Sequence, residues 1–196
     1  MAVIRQLKCI FADILYLVCS KSVKSSIRED IKHYIKWNDR LKKMRSNILR
    51  LNILLISKAE FRSVFYFRTK RHKILTALSK IFLPNAKEVE INGDIEPGLL
   101  VSHFHSVICP EKAGHNLRVG PGAVICGDDG APSLGDNVYV ASNSVVMGDI
   151  HIGDNVIIGA GSVVTNDLES NAVYVGNPAH FVKEIKGNDA LMNEIT

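Results

Sequence analysis

Aliphatic residues recur at every sixth position in the C-terminal half of the chain. The series runs through Leu134, Val140, Val146, Ile152, Ile158 and Val164. Neither an α-helix nor a flat β-strand repeats every six residues, whereas a hexapeptide repeat is typical of a parallel β-helix. Counted backward across a nine-residue step, the series continues through Ile125, Val119, Ala113, Val107, Val101 and Ile95. We therefore predict a β-helix that begins near residue 90, has a bulging loop at residues 126–133 and makes about four triangular turns.

The other positions of each hexad fit one sharp turn and a second inward side chain. The third residue after each aliphatic one is Asn137, Asn143, Asp149, Asn155 or Gly161. These residue types tolerate the left-handed backbone conformation that a tight corner requires. The residue after each corner is small or aliphatic, which suits a position that points into the β-helix.

The first 86 residues follow a different pattern. They contain no Gly, and stretches such as 10–18 and 48–56 place apolar residues at helical spacing. We therefore predict an α+β chain with a helical domain at residues 1–86, a β-helix at 87–182 and a C-terminal tail at 183–196.

Charge divides at the same place as the pattern. Residues 1–86 hold 19 Lys and Arg against 5 Asp and Glu, net +14, while residues 87–196 hold 5 against 15, net −10. The basic helical domain is open to three interpretations: a solvated face, contact with an anionic membrane surface, or contact with the acidic β-helix of a neighbouring copy. Nucleic acid ranks lower because no recognised binding motif accompanies the charge.

Two further features bear on location. The N-terminal apolar run is interrupted by Lys8 and Asp13 and falls short of the roughly 20 apolar residues of a membrane span, so we interpret it as a buried helix and expect no signal peptide. The four cysteines have neither paired nor metal-type spacing, which is typical of a reducing compartment; they are Cys9, Cys19, Cys109 and Cys126. We expect a cytoplasmic protein, at the inner face of the membrane if the basic domain binds lipid.

The repeat is broken between Val101 and Lys112. Counted in register, Phe104 and Pro110 stand at corner positions, and the ionisable His105 and Glu111 stand at inward positions. Sequences tend to violate their own structural rules at functional sites. His103 is expected at the outer surface, where an imidazole is suited to abstracting a proton from an alcohol.

Three segments of the chain resemble the serine acetyltransferase family of left-handed β-helix enzymes. The segment 98–113, GLLVSHFHSVICPEKA, is similar to the catalytic segment, in which a histidine precedes a glutamate by eight residues, here His103 and Glu111. The segment 158–182 is similar to the cofactor-binding end, with its G-x-P-A signature at Gly176, Asn177, Pro178 and Ala179. The helical leader with EFRSVFYFR at 60–68 extends the resemblance over most of the chain.

The resemblance implies an acyltransferase that uses acetyl-CoA and works as a homotrimer or a dimer of trimers. The pantetheine arm would lie between adjacent copies along Gly159, Ala160 and Gly161, and Lys183 with Lys186 would meet the CoA phosphates. His180 stands where the family often has Arg. No metal is expected.

The implied mechanism is direct transfer with His103 as the general base and backbone donors around the oxyanion. The resemblance also implies an acidic residue that orients the histidine. An ungapped count gives Glu88, with Asp94 as the alternative. Glu111 is a second candidate carboxylate in the catalytic group.

The chain lacks the charged residues with which serine acetyltransferases hold their acceptor. Serine acetyltransferases carry Asp before the catalytic His and an Arg-His pair in the later loop, where this chain has Ser102, Gly130 and Ala131. A serine carboxylate would then lose a charge-assisted hydrogen bond of about 1.5–3 kcal/mol. The loop CGDDGAPS at 126–133 resembles that of polysaccharide O-acetyltransferases. Candidate acceptor-binding residues are His105, Asp128 and Asp129.

We therefore expect an O-acetyltransferase that acts on a hydroxyl of a sugar or polysaccharide precursor. Serine O-acetylation, as in cysteine biosynthesis, is the first alternative, and a non-catalytic β-helix scaffold is the alternative of another class. Metal-dependent hydration ranks lowest, because it requires three converging imidazoles. The available ones are His103, His105, His115 and His151.

Overall fold

The computed structural model describes residues 2–36 and 38–185, apart from the side chains of residues 2–6 and 40. The chain divides into two compact units, Met1–Lys87 and Glu88–Thr196. The first unit is helical and the second is a parallel β-helix. The predicted fold class is therefore confirmed.

The helical unit contains five helices and one single helical turn. They are α1 Ala2–Val18, α2 Lys21–Ile35, the turn α3 Asp39–Lys42, α4 Asn47–Ser57, α5 Ala59–Arg68 and α6 Lys73–Phe82. Serine caps fix two of the starts, because the side chain of Ser20 accepts a hydrogen bond from the Val23 amide and that of Ser46 accepts one from the Leu49 amide.

The core of this unit is aliphatic and aromatic, with one buried ion pair. Leu15, Leu51 and Phe61 are among its fully buried side chains. Asp30 of α2 is buried and accepts two hydrogen bonds from Arg68 of α5, from Nε at 2.9 Å and Nη2 at 3.1 Å. A buried carboxylate needs such a partner, so this pair fixes α2 against α5.

The β-helical unit is built from three sheets. Sheet A contains β1 Val89–Ile91, β4 Ser106–Ile108, β7 Val124–Cys126, β10 Val145–Met147 and β13 Val163–Val164. Sheet B contains β2 Asp94–Ile95, β5 Lys112–Ala113, β8 Ser133–Leu134 and β11 His151–Ile152. Sheet C contains β3 Leu100–Val101, β6 Arg118–Val119, β9 Tyr139–Val140, β12 Val156–Ile158, β14 Ala172–Val175 and β15 His180–Glu184. All pairings are parallel except β14 with β15.

The chain makes more turns than the hexad count predicts. The five strands of sheet A mark successive turns, against about four predicted. The extra turn arises at both ends. Val89 is buried one hexad before Ile95, and Leu168 continues the core after a step of four residues from Val164, bridging to Ile152.

The predicted inward series is buried at every position except Val107. Val107 is half-buried, and Ser106 and Ile108 on either side of it point into the core. The preceding turn is one residue longer than the hexad allows, so Ile108 rather than Val107 pairs with the buried Ile125.

This shift corrects the predicted orientation of two polar residues. His105 and Glu111 are both exposed, not inward-pointing. His105 itself occupies the corner that was predicted for Phe104, with φ of 63°.

Asparagines form a ladder at the corner that links sheet B to sheet C. Asn116, Asn137, Asn155 and Asn171 have φ of 63°, 58°, 55° and 61°. Each side-chain amide donates to the next oxygen, at 2.8, 3.1 and 2.9 Å. The predicted corners at Asn137 and Asn155 are confirmed.

The predicted corner at Asp149 is wrong. The positive φ of that turn, 95°, belongs to Gly148, the residue type with the least steric cost in this region.

The C-terminal end of the β-helix folds back on sheet C. β15 runs antiparallel to β14, and the predicted start of the tail at residue 183 lies inside this strand. Ile185 is buried against Ile157. Lys186 and the rest of the predicted tail lie outside the described residues.

Candidate active site

One corner of the β-helix gathers most of the candidate residues. We call it the C–A corner: the turns 102–105, 120–123, 141–144 and 159–162, which link sheet C to sheet A. These turns stack through backbone hydrogen bonds. The Gly122 amide donates to Phe104 O at 3.3 Å, and the Gly161 amide donates to Ser142 O at 2.9 Å.

His103 and His105 lie in the first of these turns, and both imidazoles are exposed. Their backbone is held by the next turn, because the Ser102 amide donates to Val119 O at 2.9 Å. The site therefore presents two imidazoles to solvent at one edge of sheet A.

Buried serine hydroxyls brace the C–A corner from inside. Ser106 Oγ donates to Gly120 O at 3.1 Å, and Ser144 Oγ donates to Gly159 O at 2.8 Å. Ser162 Oγ accepts from the Gly176 amide at 3.1 Å. The role of Ser106 was not predicted, because the hexad count places the inward position of this turn at His105. A small polar residue directly after the corner, as at Ser144 and Ser162, is the pattern that indicates it.

The two candidate acidic partners of His103 occupy different places. The Ser106 amide donates to Glu88 O at 3.0 Å, so Glu88 lies one turn away from His105 at the same corner. Asp94 lies on β2 and pairs with Lys112 in sheet B. The structure brings Glu88, not Asp94, to the edge that carries His103.

Glu111 lies at another corner. We call it the A–B corner: the turns 109–111, 127–132 and 148–150, which link sheet A to sheet B. Glu111 is exposed there and its amide donates to Pro132 O at 3.1 Å. The three residues of β4 separate the two corners by about 10 Å, so one chain does not bring Glu111 to His103.

The acidic loop also belongs to the A–B corner. Asp128 and Asp129 are exposed in the turn 127–132, in which Gly130 has φ of 124°. These candidate acceptor-binding residues are near Glu111 in the fold and at the far end of sheet A from His105.

The candidate cofactor-binding glycines lie at the C–A corner, three turns from His103. At about 4.8 Å per turn the separation along the axis is about 14 Å. Gly161 has φ of 68°, and a Cβ there would meet no other atom within 4 Å. A Cβ at Gly159 would collide with the side chain of Val175. Ala160 between them is exposed, so this turn offers an open backbone.

The segment Gly176–Ala179 closes the same corner at the last turn. The Val163 amide donates to Gly176 O at 2.9 Å and the Ala179 amide donates to Val163 O at 2.8 Å. The Asn177–Pro178 peptide is cis. His180 Nδ1 lies 3.3 Å from Pro178 O, and the exposed Lys183 follows on β15.

The thiol of Cys109 does not have the features of a nucleophile. Burial raises the pKa of the Cys109 thiol, and the nearby Glu90 and Cys126 raise it further. A raised pKa disfavours the thiolate, which is the reactive form. The four cysteines of the chain are unpaired.

The histidines are spread over the β-helix. His103 and His105 lie at the C–A corner, His115 lies 3.5 Å from Asp136 at the corner that links sheet B to sheet C, and His151 is on β11. Among residues 2–36 and 38–185, no three His, Cys, Asp or Glu side chains are grouped so that they could hold a metal ion.

Sheet B carries a groove that sequence reasoning missed. It has a volume of about 380 Å³ and is lined by residues of both charges, including Glu96, Lys112, His115, Asp136 and His151. Its signal in the sequence is the polar outward position on each strand of sheet B.

Part of the β-helix matches a known protein family. Residues 131–166 match the family described as "Bacterial transferase hexapeptide (six repeats)". This segment contains strands β8 to β13 and lies within the hexapeptide repeat that the sequence predicts. A search of curated protein sequences finds no match.

The fold of this chain is similar to that of solved serine acetyltransferases. The Neisseria gonorrhoeae enzyme in complex with serine aligns with a TM-score of 0.65 at 23% identity, over 84% of this chain and 71% of that one. The soybean enzyme complexed with serine aligns with a TM-score of 0.65 at 24% identity, over 83% and 70%. A serine acetyltransferase in complex with CoA aligns with a TM-score of 0.62 at 19% identity, over 88% and 75%.

The predicted resemblance to serine acetyltransferases is therefore confirmed, and the family and the fold together support an acyltransferase. The narrower resemblance to polysaccharide O-acetyltransferases stays a prediction. The catalytic and binding roles of individual residues also stay predictions.

Proposed function

We propose that this chain is an O-acetyltransferase that moves the acetyl group of acetyl-CoA to the hydroxyl of a small acceptor, with His103 as general base. The proposal rests on the arrangement of residues at the C–A corner. One edge of the β-helix holds the exposed imidazole of His103 and, about 14 Å along the axis, the open backbone turn at Gly161. The closing segment Gly176–Ala179 follows one turn further along the same edge.

The proposed chemistry is a direct transfer. His103 accepts the proton of the acceptor hydroxyl while the oxygen attacks the thioester carbonyl. Backbone amides stabilise the tetrahedral oxyanion. The C–S bond then breaks, and the proton passes from His103 to the thiolate of CoA. No acyl-enzyme forms, and the balance is one ester made for one thioester lost.

Support for acetyl-CoA comes from a solved relative in complex with CoA and from the turn 159–161. An extended pantetheine arm needs a groove in which the backbone is accessible, and the open space at Gly161 and the exposed Ala160 meet that need. Lys183 lies on the strand that follows Gly176–Ala179 and would meet the CoA phosphates.

L-serine is the acceptor that the solved relatives support, because two of them were solved with serine. This support favours the serine alternative over the sugar acceptor that we predicted from the sequence. A sugar hydroxyl remains the second candidate on one observation. At the positions where serine acetyltransferases hold the amino acid, this chain has the uncharged residues Ser102, Gly130 and Ala131.

We also propose a homotrimer, or a dimer of trimers, in the cytoplasm. The outward face of sheet A carries four valines in register, Val107, Val124, Val145 and Val163, and the column ends at Glu90 in the first turn. The outward positions of sheet B are polar. A neighbouring copy packed on sheet A would stand next to the C–A corner, and its own residues would complete the site. The four unpaired cysteines fit a reducing compartment.

The test is the release of CoA thiol from acetyl-CoA by the purified chain, with L-serine and with sugars and nucleotide sugars as separate acceptors. His103→Ala should lower kcat by about 10²–10⁴-fold. His115→Ala, an exposed histidine at another corner, is the matched control and should keep full activity. Full activity in His103→Ala would contradict the proposed base. No turnover with any acceptor in the wild type would favour the scaffold alternative.

A further inference from the structure

Helix α6 exposes much of its apolar surface, although Leu75 packs against the core of the unit. A surface helix normally buries its apolar stripe and exposes its polar one. Here the buried side chains are Thr76 and Ser79, whereas Ile74 is 78% exposed and Ile81 is 70% exposed. Of these two hydroxyls, Thr76 Oγ1 donates to Thr69 O at 3.3 Å, whereas Ser79 Oγ has no hydrogen-bond partner within the described part of the chain. The orientation leaves the apolar stripe of α6 available to a partner.

Helix α1 adds a second exposed apolar stripe. Its inward face includes Cys9, Ala12 and Leu15. Its opposite face also carries aliphatic residues at helical spacing; Leu7, Ile10, Ile14 and Leu17 are 56%, 43%, 41% and 58% exposed. The helix is therefore apolar on both sides, although only one side meets the core of its unit.

The two stripes belong to neighbouring helices. α1 and α6 pack against each other, and the rings of Phe11 and Phe82 stack with centroids 5.5 Å apart. We call the exposed side chains of both helices the α1–α6 face; they are Leu7, Ile10, Ile14, Leu17, Ile74, Ile81 and Phe82. An exposed apolar surface of this kind on a folded unit is typical of an interaction site.

Basic side chains flank this face. Lys73 and Lys80 are exposed on α6, one residue before Ile74 and Ile81 respectively. An open cavity of about 460 Å³ at the start of α6 is lined by basic and apolar residues together, including Arg71, Lys73 and Ile74.

Acidic side chains are nearly absent from the same helices. α6 has no acid, and the one acid of α1, Asp13, is half-buried. Asp30 and Glu60, two of the other four acids in residues 1–86, are buried as well. The net charge of +14 in this half of the chain is therefore displayed to solvent with little acidic surface.

We propose that the α1–α6 face binds an anionic membrane surface, with its apolar stripes among the acyl chains and its lysines at the headgroup level. Aliphatic residues flanked by lysines are the pattern of a helix that lies in the bilayer interface. No helix within the described chain combines the length and apolarity needed to cross a bilayer, so the contact is peripheral. The inference does not rest on the proposed acetyltransferase activity.

Charge favours lipid over a second copy of the chain as the occupant. A two-fold contact through this face would bring one basic surface, with Lys73 and Lys80, against another of the same sign. Binding to the acidic β-helix of another copy would satisfy the lysines. It would not cover the aliphatic stripes, because the exposed large apolar residues described there are scattered; they are Phe104, Met147, Phe181 and Val182.

The test is flotation of the full-length protein with vesicles of phosphatidylcholine alone and of phosphatidylcholine mixed with phosphatidylglycerol. The wild type should float with the mixed vesicles and be released by high salt. Ile74→Ser with Ile81→Ser removes apolar groups that are exposed, so the variant should fold, and it should bind at least tenfold less. Lys73→Gln with Lys80→Gln should lower binding about fivefold for each lysine removed.

Two matched variants serve as controls. Val182→Ser removes an apolar side chain of comparable type, 49% exposed, outside the face. Lys43→Gln removes an exposed lysine of the same unit that is outside α1 and α6. Both should float as the wild type does.

Light scattering on the same samples distinguishes binding of the α1–α6 face to lipid from its binding to a second copy of the chain. Equal flotation of wild type and both double variants would overturn the proposal. A wild type that does not float with the mixed vesicles would also overturn the proposal. If the isoleucine variant then forms a smaller assembly than the wild type, the face is a contact between copies.

Discussion

Glu88 shares a corner with His103, and this placement makes it the better candidate to orient the imidazole. It lies one turn from His105 through the Ser106 amide, while Asp94 lies in sheet B. We predict that Glu88→Gln lowers kcat about tenfold or more, a part of the 10²–10⁴ that acid–base catalysis contributes, with little change in KM. Glu88→Asp should restore part of the rate, because it keeps the charge. Steady-state kinetics check this, with Asp94→Asn as the matched control; a larger loss in Asp94→Asn would reverse the assignment.

Asp13 should make the stability of the chain depend on pH. Burial raises the pKa of its carboxyl above the ordinary 3.8, although a hydrogen bond from Asn52 partly opposes the shift. The folded state therefore holds the proton at pH values where the unfolded state has lost it, and the free energy of unfolding falls as pH rises from 3.8 through the raised pKa.

Asp13→Asn removes this titration and can still accept the hydrogen bond from Asn52. We expect the variant to melt at a higher temperature than the wild type at pH 7, with a smaller difference near pH 4. Thermal unfolding followed by circular dichroism at both pH values measures it. A difference that is larger near pH 4 would contradict the sign of the shift.

At single positions the sequence predicts the core of the β-helix well and its breaks less well. Periodicity identifies the buried column because each hexad repeats one aliphatic residue, and only Val107 departs from it. The departure cannot be seen in the pattern, since Val107 and Ile108 are both aliphatic and either one fits. One extra residue in the turn then moves His105 from an inward position to a corner.

The asparagine ladder is an element whose stability can be separated into two parts. Asn137 has φ of 58°, donates to Asn155 and accepts from Asn116. Asn137→Gly loses the two hydrogen bonds, at about 1 kcal/mol each, but adopts the corner freely. Asn137→Ala loses the same bonds and adds about 1–2 kcal/mol for the left-handed conformation. We therefore expect stability in the order wild type, Gly variant, Ala variant in urea unfolding; equal stability of the two variants would exclude backbone strain at this corner.

The helices are predicted by apolar spacing, but the direction that each one faces is not. For most of them the apolar stripe is the buried one, so pattern and burial agree. In α6 the stripe of Ile74 and Ile81 points to solvent, while Thr76 and Ser79 are buried. The sequence shows that a helix has an apolar and a polar face. Which of the two faces is buried depends on how the neighbouring helices pack against it.

For the whole molecule, the sequence predicts the division into two units because pattern and charge change together near residue 87. It does not assemble the candidate site, since His103 and Glu111 are eight residues apart in sequence and occupy different corners of one β-helix. In the proposed trimer, an imidazole that meets the carboxylate of Glu111 would come from a second copy. A hexad repeat specifies each turn from its own residues and carries little information about the neighbour.

The assembly itself can be tested on the valine face of sheet A. Val145 pairs with Val124 and Val163 in the outward column, so Val145→Glu would place a carboxylate in a contact between apolar faces. Burying an unpaired charge is costly, and we expect the mass in solution to fall from three or six times the chain mass to the 21.6 kDa of one chain. Activity should fall at least tenfold with it, because the proposed site needs residues of a neighbour. Ser133→Glu, at an outward position of sheet B, is the matched control and should change neither. Light scattering and the thiol assay on the same samples decide, and an active single chain would show that one β-helix holds the complete site.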